Sequence, residues 1–216
     1  KTRLDPDSAD LSSDTTGIAS VKTGVQTGNN PRFIRTHWES PDSSSFKHFT
    51  KGGTESWVLP QVKLTVFWGD DGAEIKRLSS SRPQNTEYYF QEGLTWTYIK
   101  RTGRRFGVFP SGGIFDQKGP MIFPDDESIW TLLAVLNSDI YHALFLTLTP
   151  ERGWNASDVD RIPWHDFEGQ REDLAALAKD QFRNFAMLRT SDPKSPFYVS
   201  PALLNTENQG YFHNSN

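Results

Sequence analysis

Residues 21–35 concentrate hydrogen-bonding side chains around two glycines. Lys22, Thr23, Gln26, Thr27, Asn29 and Asn30 surround Gly24 and Gly28. Glycine tolerates positive φ and lets another backbone approach closely. Pro31 stiffens the exit, and Arg32, Phe33, Ile34 and Arg35 alternate charge with bulk, as in a half-buried strand or a short ordered segment. A polar loop tied to an apolar anchor suits contact with a polyanion. It also suits an ordinary surface turn, the commoner use of Gly beside Asn.

A second cluster is basic. Lys100, Arg101, Arg104 and Arg105 place four positive charges in six residues around Gly103. At a hairpin tip their forks could reach phosphates or the O6/N7 edge of guanine; the plain alternative is a soluble turn. Trp96, Tyr98 and Phe106 flank the tip and could seat it. Lys51-Gly52-Gly53 is a further basic glycine turn, and residues 79–85, with Arg82, form a polar run that reads as an exposed connection or a fourth contact.

Other catalytic patterns are thin. The five histidines are scattered, without His-x-x-x-His spacing, and there is no cysteine, so neither a zinc site nor a disulfide is expected. His165-Asp166 could pair as acid and base, but neighbours in an extended segment point apart. Phosphate-cradling Gly-x-x-x-x-Gly-Lys-Ser/Thr and nucleophile-elbow Gly-x-Ser-x-Gly patterns are missing. The pairs Asp70-Asp71 and Asp125-Asp126 fit a turn and a helix start, although a glycosidase pair can be distant in sequence. Asn30-Pro31-Arg32-Phe33 and Ser195-Pro196-Phe197-Tyr198 approximate the Pro-Pro-aromatic tetrad of adenine methyltransferases. Each lacks the second proline, and both read as coincidence.

The elements that must position these residues change character along the chain. Residues 1–20, rich in Ser, Thr and Asp, read as a linker or arm. Residues 21–125 read as short strands and turns. Strands are expected at 57–59, 62–68, 87–90, 94–100, 105–109 and 114–116, with a turn at 69–72 and a short helix at 73–78. From residue 126 the spacing becomes helical. Ile129, Leu132, Leu133 and Leu136 form one helix, Asn137-Ser138 interrupts, and Ser138 caps a second through Ile140, Ala143, Leu144 and Leu148. Residues 159–164 read as extended. Residues 173–188 form an amphipathic helix with Leu174, Leu177, Ala178, Phe182, Phe185 and Leu188 on one face, and 191–216 read as a tail.

The chain has 216 residues, enough for one domain with a real core, and begins at Lys1, which reads as a fragment or a processed product. No apolar run of membrane-spanning length and no signal peptide are seen; a cytoplasmic setting is expected. The net charge of −4 is segregated: residues 21–120 carry +5 and residues 121–216 carry −7. That asymmetry suits a local polyanion site on a protein that is not basic as a whole.

The opening loop, Lys22-Thr23-Gly24-Val25-Gln26-Thr27-Gly28-Asn29-Asn30 with Arg32 and Phe33, resembles the start of the target-recognition domain of large adenine-specific DNA methyltransferases. That family includes the methyltransferases of BREX-type and DISARM-type phage-defence systems and fused restriction-modification enzymes. The specificity subunits of type I restriction enzymes are related. The resemblance runs over roughly residues 21–165 in motif order. Lys51-Gly52-Gly53 with Trp57 is similar to one family element. Arg82-Pro83 followed by Glu87-Tyr88-Tyr89-Phe90 and Glu92-Gly93-Leu94-Thr95-Trp96 is similar to a second. Ile114-Phe115-Asp116 with Gly119-Pro120, the helix ending Leu136-Asn137-Ser138, and residues 158–163 resemble three more. The resemblance implies that this region reads double-stranded DNA and presents it to a methyl-transferring domain upstream, in cis or in another subunit. S-adenosylmethionine would be the cofactor of the parent enzyme; this segment would bind no cofactor and hold no catalytic residue.

The expected fold is α+β: a β-rich body over 21–165 with a helical pair, a scaffold helix over 166–190 and a C-terminal tail. Phosphate contacts are assigned to Lys22, Lys51, Arg101 and Arg104, and base reading to a subset of Gln26, Asn29, Asn30, Arg32 and Arg105, with Thr23 in the same DNA-contacting set. A stand-alone specificity subunit is one rival. A carbohydrate-binding module or hydrolase, indifferent to salt, is another; DNA binding weakens steeply with salt. A third reading gives the acidic C-terminal part a DNA-mimic or scaffold role.

Overall fold

The computed structural model describes residues 18–40, 44–52, 58–99, 105–149, 153–165, 167, 169–193, 195 and 198. Its strands are β1 (Ala19–Lys22), β2 (Ile34–Thr36), β3 (Phe46–Thr50), β4 (Leu64–Phe67), β5 (Gly93–Trp96), β6 (Phe106–Phe109), β7 (Gly113–Phe115) and β8 (Met121–Pro124). The helices are α1 (Asn30–Phe33), α2 (Gly69–Arg77), α3 (Ile129–Leu136), α4 (Asp139–Leu148), α5 (Ala156–Asp160) and α6 (Arg171–Thr190). The strands make two four-stranded sheets, ordered β1-β8-β5-β6 and β2-β4-β3-β7. The first sheet is antiparallel throughout, whereas β7 joins β3 in parallel. The class is α+β, as expected.

Alternation along the first sheet divides the interior in two. Leu94, Trp96, Phe106, Val108 and Ile122 face one way, into a core with α3, α4 and α6. Their neighbours Phe109, Met121 and Phe123 face the other way and pack with Phe49, Val66, Ile114 and Phe115 of the second sheet. Side chains of a strand alternate between its two faces, so one set of short strands serves both cores. Because both faces are buried, β8 shows no polar alternation. That hides it in the sequence, and β1 and β3 are likewise absent from the expected strands.

The helical pair forms as its spacing predicts. Ser128 Oγ accepts from Trp130 N at 3.2 Å, and Ser138 Oγ accepts from Tyr141 N at 3.2 Å, so each helix has a side-chain cap. Asn137, buried between them, ties the helix end to the sheet. Its Oδ1 accepts from Phe106 N (3.2 Å) and its Nδ2 donates to Phe106 O and Leu133 O (3.0 Å each).

Several expectations are corrected. Residues 87–90 are not a strand: Asn85 adopts φ 51° and a 3-10 turn spans Thr86–Tyr88, placing Tyr89 in the core. The turn at 69–72 is present as expected, with Asp70, Asp71 and Gly72 in the left-handed region at the start of α2, and the right-handed helix follows it. Residues 159–164 do not run extended from the start. Val159 belongs to α5, whose first turn is fixed by the Asp158 carboxylate accepting from Asn155 N at 2.8 Å. Ala19 and Ser20 belong to β1 rather than to an arm. On α6, Leu174, Ala178, Phe182 and Phe185 pack inward, with Phe182 edge-on to Trp130. Leu177 and Leu188, expected on the same face, are 61% and 70% exposed. Both stand at one edge of the apolar stripe, on the side of the helix turned away from Phe182. Trp57 and the tip at 100–104 lie outside the described residues.

Candidate nucleic-acid interface

The opening loop is stitched into the molecule from both sides. Val25 N donates to Phe115 O at 2.8 Å, and Gln117 N donates back to Val25 O at 3.2 Å. On the other side Gln26 and Arg82 exchange both backbone bonds, at 3.0 and 2.8 Å. Asn85 Nδ2 donates to Thr23 O at 2.8 Å. Both glycines have a steric reason. A Cβ on Gly24 would lie 1.8 Å from Phe115 O, and Gly28 sits at φ 72° against Ser80 and Ser81.

Asp116, at the end of β7, knots this loop to the basic turn after β3. Its N–H donates to Thr50 O at 2.9 Å, and its carboxylate accepts from Lys118 N at 2.8 Å and lies 3.9 Å from Lys51 Nζ. Burial raises the Asp116 carboxyl above the usual aspartate value, while the Lys118 N–H bond and the nearby Lys51 and Lys118 charges pull it back. Gly52 packs against the backbones of Lys118 and Trp96, so the 51–52 turn also abuts the root of the basic connection between β5 and β6.

The expected contact residues differ in their exposure. Gln26, Asn29, Asn30 and Arg32 are exposed. Lys22 and Thr23 are half-buried, and Lys22 Nζ lies 5.1 Å from the centre of the Tyr88 ring. Local structure already engages several of these. Asn29 Oδ1 caps α1 by accepting from Arg32 N (3.2 Å), Asn30 Oδ1 accepts from Thr27 Oγ1 (2.6 Å), and Arg32 pairs with Glu74 at 2.6 Å. The tetrad at 30–33 is thus a single helical turn with Pro31 in its first turn. Lys51 joins this group through Asp116. Arg101 and Arg104 lie outside the described residues.

Arg105 differs from its expected role. It is 2% exposed, its guanidinium lies 3.6 Å from the Trp154 ring centre, and Nη1 donates to Tyr98 O at 3.2 Å. Burial lowers its pKa to about 10, which leaves it charged at neutral pH. Trp96 Nε1 donates to Trp154 O (2.9 Å), and Tyr98 OH donates to Asn155 Oδ1 (3.0 Å). Trp96 and Phe106 are core residues, and Arg105, assigned to base reading from the sequence, is buried against Trp154 just before β6. Two further cations are exposed at this face: Arg82, which the sequence places in an ambiguous polar run, and Lys118, which it does not single out. The signal for Lys118 is its place before Gly119, as Lys51 stands before Gly52.

Among the described residues, no single helix is long and apolar enough to cross a membrane. No protein-family model matches the chain. Comparison with characterised proteins points to one class, the adenine-specific methyltransferases. The chain is 28% identical over 160 residues to the adenine-specific methyltransferase BrxX of Escherichia coli O9:H4 (strain HS), and 25% identical over 169 residues to the adenine-specific methyltransferase PglX of Lacticaseibacillus casei (strain Zhang). Each match covers 68% of this chain but only 13% and 14%, respectively, of the relatives' own lengths.

Proposed function

We propose that this chain is the DNA target-recognition part of an adenine-specific DNA methyltransferase of a phage-defence system. The observation that carries the reading is the similarity to two such methyltransferases over most of the chain. The geometry supports it: the opening loop, the 80–85 connection and the 51–52 turn are bonded to one another around Asp116, with exposed amide and cationic side chains at their rims. In this reading Lys22, Lys51, Lys118, Arg82, Arg101 and Arg104 position the DNA through phosphates. Thr23, Gln26, Asn29, Asn30 and Arg32 lie at the base edges. The methyl transfer, with S-adenosylmethionine, belongs to the catalytic part of the parent enzyme, in the same chain or another subunit. Exposed Ile140 and Leu148 of α4 and Leu188 of α6 suit packing against that part.

The test is selection of bound duplexes from a random DNA pool, with an Arg101→Ala/Arg104→Ala variant in parallel. Enrichment of one asymmetric site, abolished in the variant, is expected. Absence of binding at low salt overturns the reading and favours the sugar-binding rival.

A further inference from the structure

Of the described tryptophans, Trp68, Trp96 and Trp154 are buried, Trp130 and Trp164 pack against the helical core, and Trp38 is 58% exposed and belongs to neither core. The turn that carries it is nevertheless well held. His37–Glu39 forms a 3-10 turn at the end of β2. Its entry is fixed by His37 N, which donates to Lys63 O at 2.9 Å, and by Thr36 N, which donates to Glu39 Oε2 at 3.2 Å. Its exit is fixed by Ser40, whose N–H donates to His37 O at 3.4 Å and whose hydroxyl meets that of Thr65 at 2.6 Å. The His37 ring lies 5.0 Å from the indole and nearly perpendicular to it. A large apolar ring held out on ordered backbone has already lost much of the freedom that binding removes, and tryptophan is enriched among the residues that dominate binding.

Strand direction places this ring. β2 and β3 both run antiparallel to β4, and β7 runs parallel to β3. The C-terminal ends of β2, β3 and β7 therefore lie together at one end of the second sheet. In strand order that end carries Trp38 after β2, exposed Lys63 before β4, the 51–52 turn after β3, and Asp116 with exposed Lys118 after β7. Val25 of the opening loop pairs with Asp116 beyond them. Neighbouring strands are about 4.8 Å apart, so the row from β2 to β7 spans about 14 Å. Trp38 stands at one end of this row and the opening loop at the other.

We propose that Trp38 is a base-contacting residue of the DNA-binding face, packing its indole on the flat side of a nucleobase. The inference rests on the DNA reading and extends it. The side chains assigned there are polar or cationic, suited to base edges and phosphates. An indole offers a broad π-face instead, the chemistry that stacks on a base whatever its identity. Base faces are hidden in a regular duplex, so the contact needs a locally unstacked step. Unstacking costs least where a base is already unpaired.

Two duplexes of one mixed sequence test it, the first fully paired and the second with a single unpaired base, each titrated with the chain at the same low salt. The wild type is expected to bind the second about tenfold more tightly, the scale of stacking one base on an aromatic side chain. Trp38→Ala should lose that preference and Trp38→Phe should keep part of it. Thermal midpoints of both variants should match the wild type, because the ring lies outside the cores. The slope of log affinity against log salt should be the same in all three proteins, because no charge is removed. No preference in the wild type, or an equal preference in Trp38→Ala, overturns this inference and leaves the DNA reading standing. Absence of wild-type binding to either duplex overturns the DNA reading and this inference with it.

Discussion

Arg105, Asn137 and His48 show how single side chains set local behaviour. Arg105 covers the Trp154 ring and holds the strand end at Tyr98. Replacing it with alanine opens a cavity and frees backbone oxygens, at a cost of about 2–4 kcal/mol. Thermal unfolding should fall accordingly; if the chain binds DNA as proposed, Arg105→Ala protein that remains folded should keep the salt dependence of that binding, since the guanidinium is buried. Asn137 satisfies both backbone groups of Phe106, so Asn137→Ala strands buried polar groups and should cost about 2–3 kcal/mol, measurable by urea denaturation. For His48 the folded value lies below the unfolded one, so the unfolded chain takes up the proton first. Its contribution is complete above the unfolded value near 6.5 and shrinks as pH falls toward the folded value. His48→Gln should flatten the loss of stability just below that pH, compared with wild type in parallel denaturation series.

At the scale of elements, the short strands matter through what their ends carry. β7 has three residues, yet its end at Asp116 receives the opening loop and the 51–52 turn. The helical pair depends on two serine caps separated by a buried Asn. Ser138→Ala should lower stability by about 1 kcal/mol, read as a shift in denaturant midpoint without a change in slope. The opening loop, the 51–52 turn, the Asn137 junction and α6 were legible in the sequence, because each has a local signature of glycine, cap or helical period. Other features were not. β8 has no alternation because it is buried on both faces, and 87–90 looks like a strand because aromatic residues needed for the core also favour strands. Leu177 and Leu188 follow helical period but meet no partner surface among the described residues.

For the molecule as a whole, the relevant property is where charge gathers. A net charge of −4 conceals a positive segment between residues 21 and 120, and the fold brings its Lys51 and Lys118 to the same strand end as the opening loop. If this face holds DNA, neutralising Lys51 and Lys118 together should weaken binding to all sequences alike. The slope of log affinity against log salt should then fall by about two, because each ammonium accounts for about one phosphate. Gln26→Ala should instead relax preference at one position of the selected site and leave the slope unchanged, checked by repeating the selection with the variant.

The sequence by itself determined the α+β class, the helical pair with its caps and the opening loop, since these follow from local spacing, glycine and serine chemistry. It also carried the likeness to adenine-specific methyltransferases in the order of its motifs. Only the tertiary structure decided which cations face water. Arg105 and Lys118 are both basic residues close to a glycine in the sequence, but one is drawn under Trp154 and the other left exposed. That choice depends on packing between residues about fifty apart in the chain, Arg105 and Trp154, which no local pattern records.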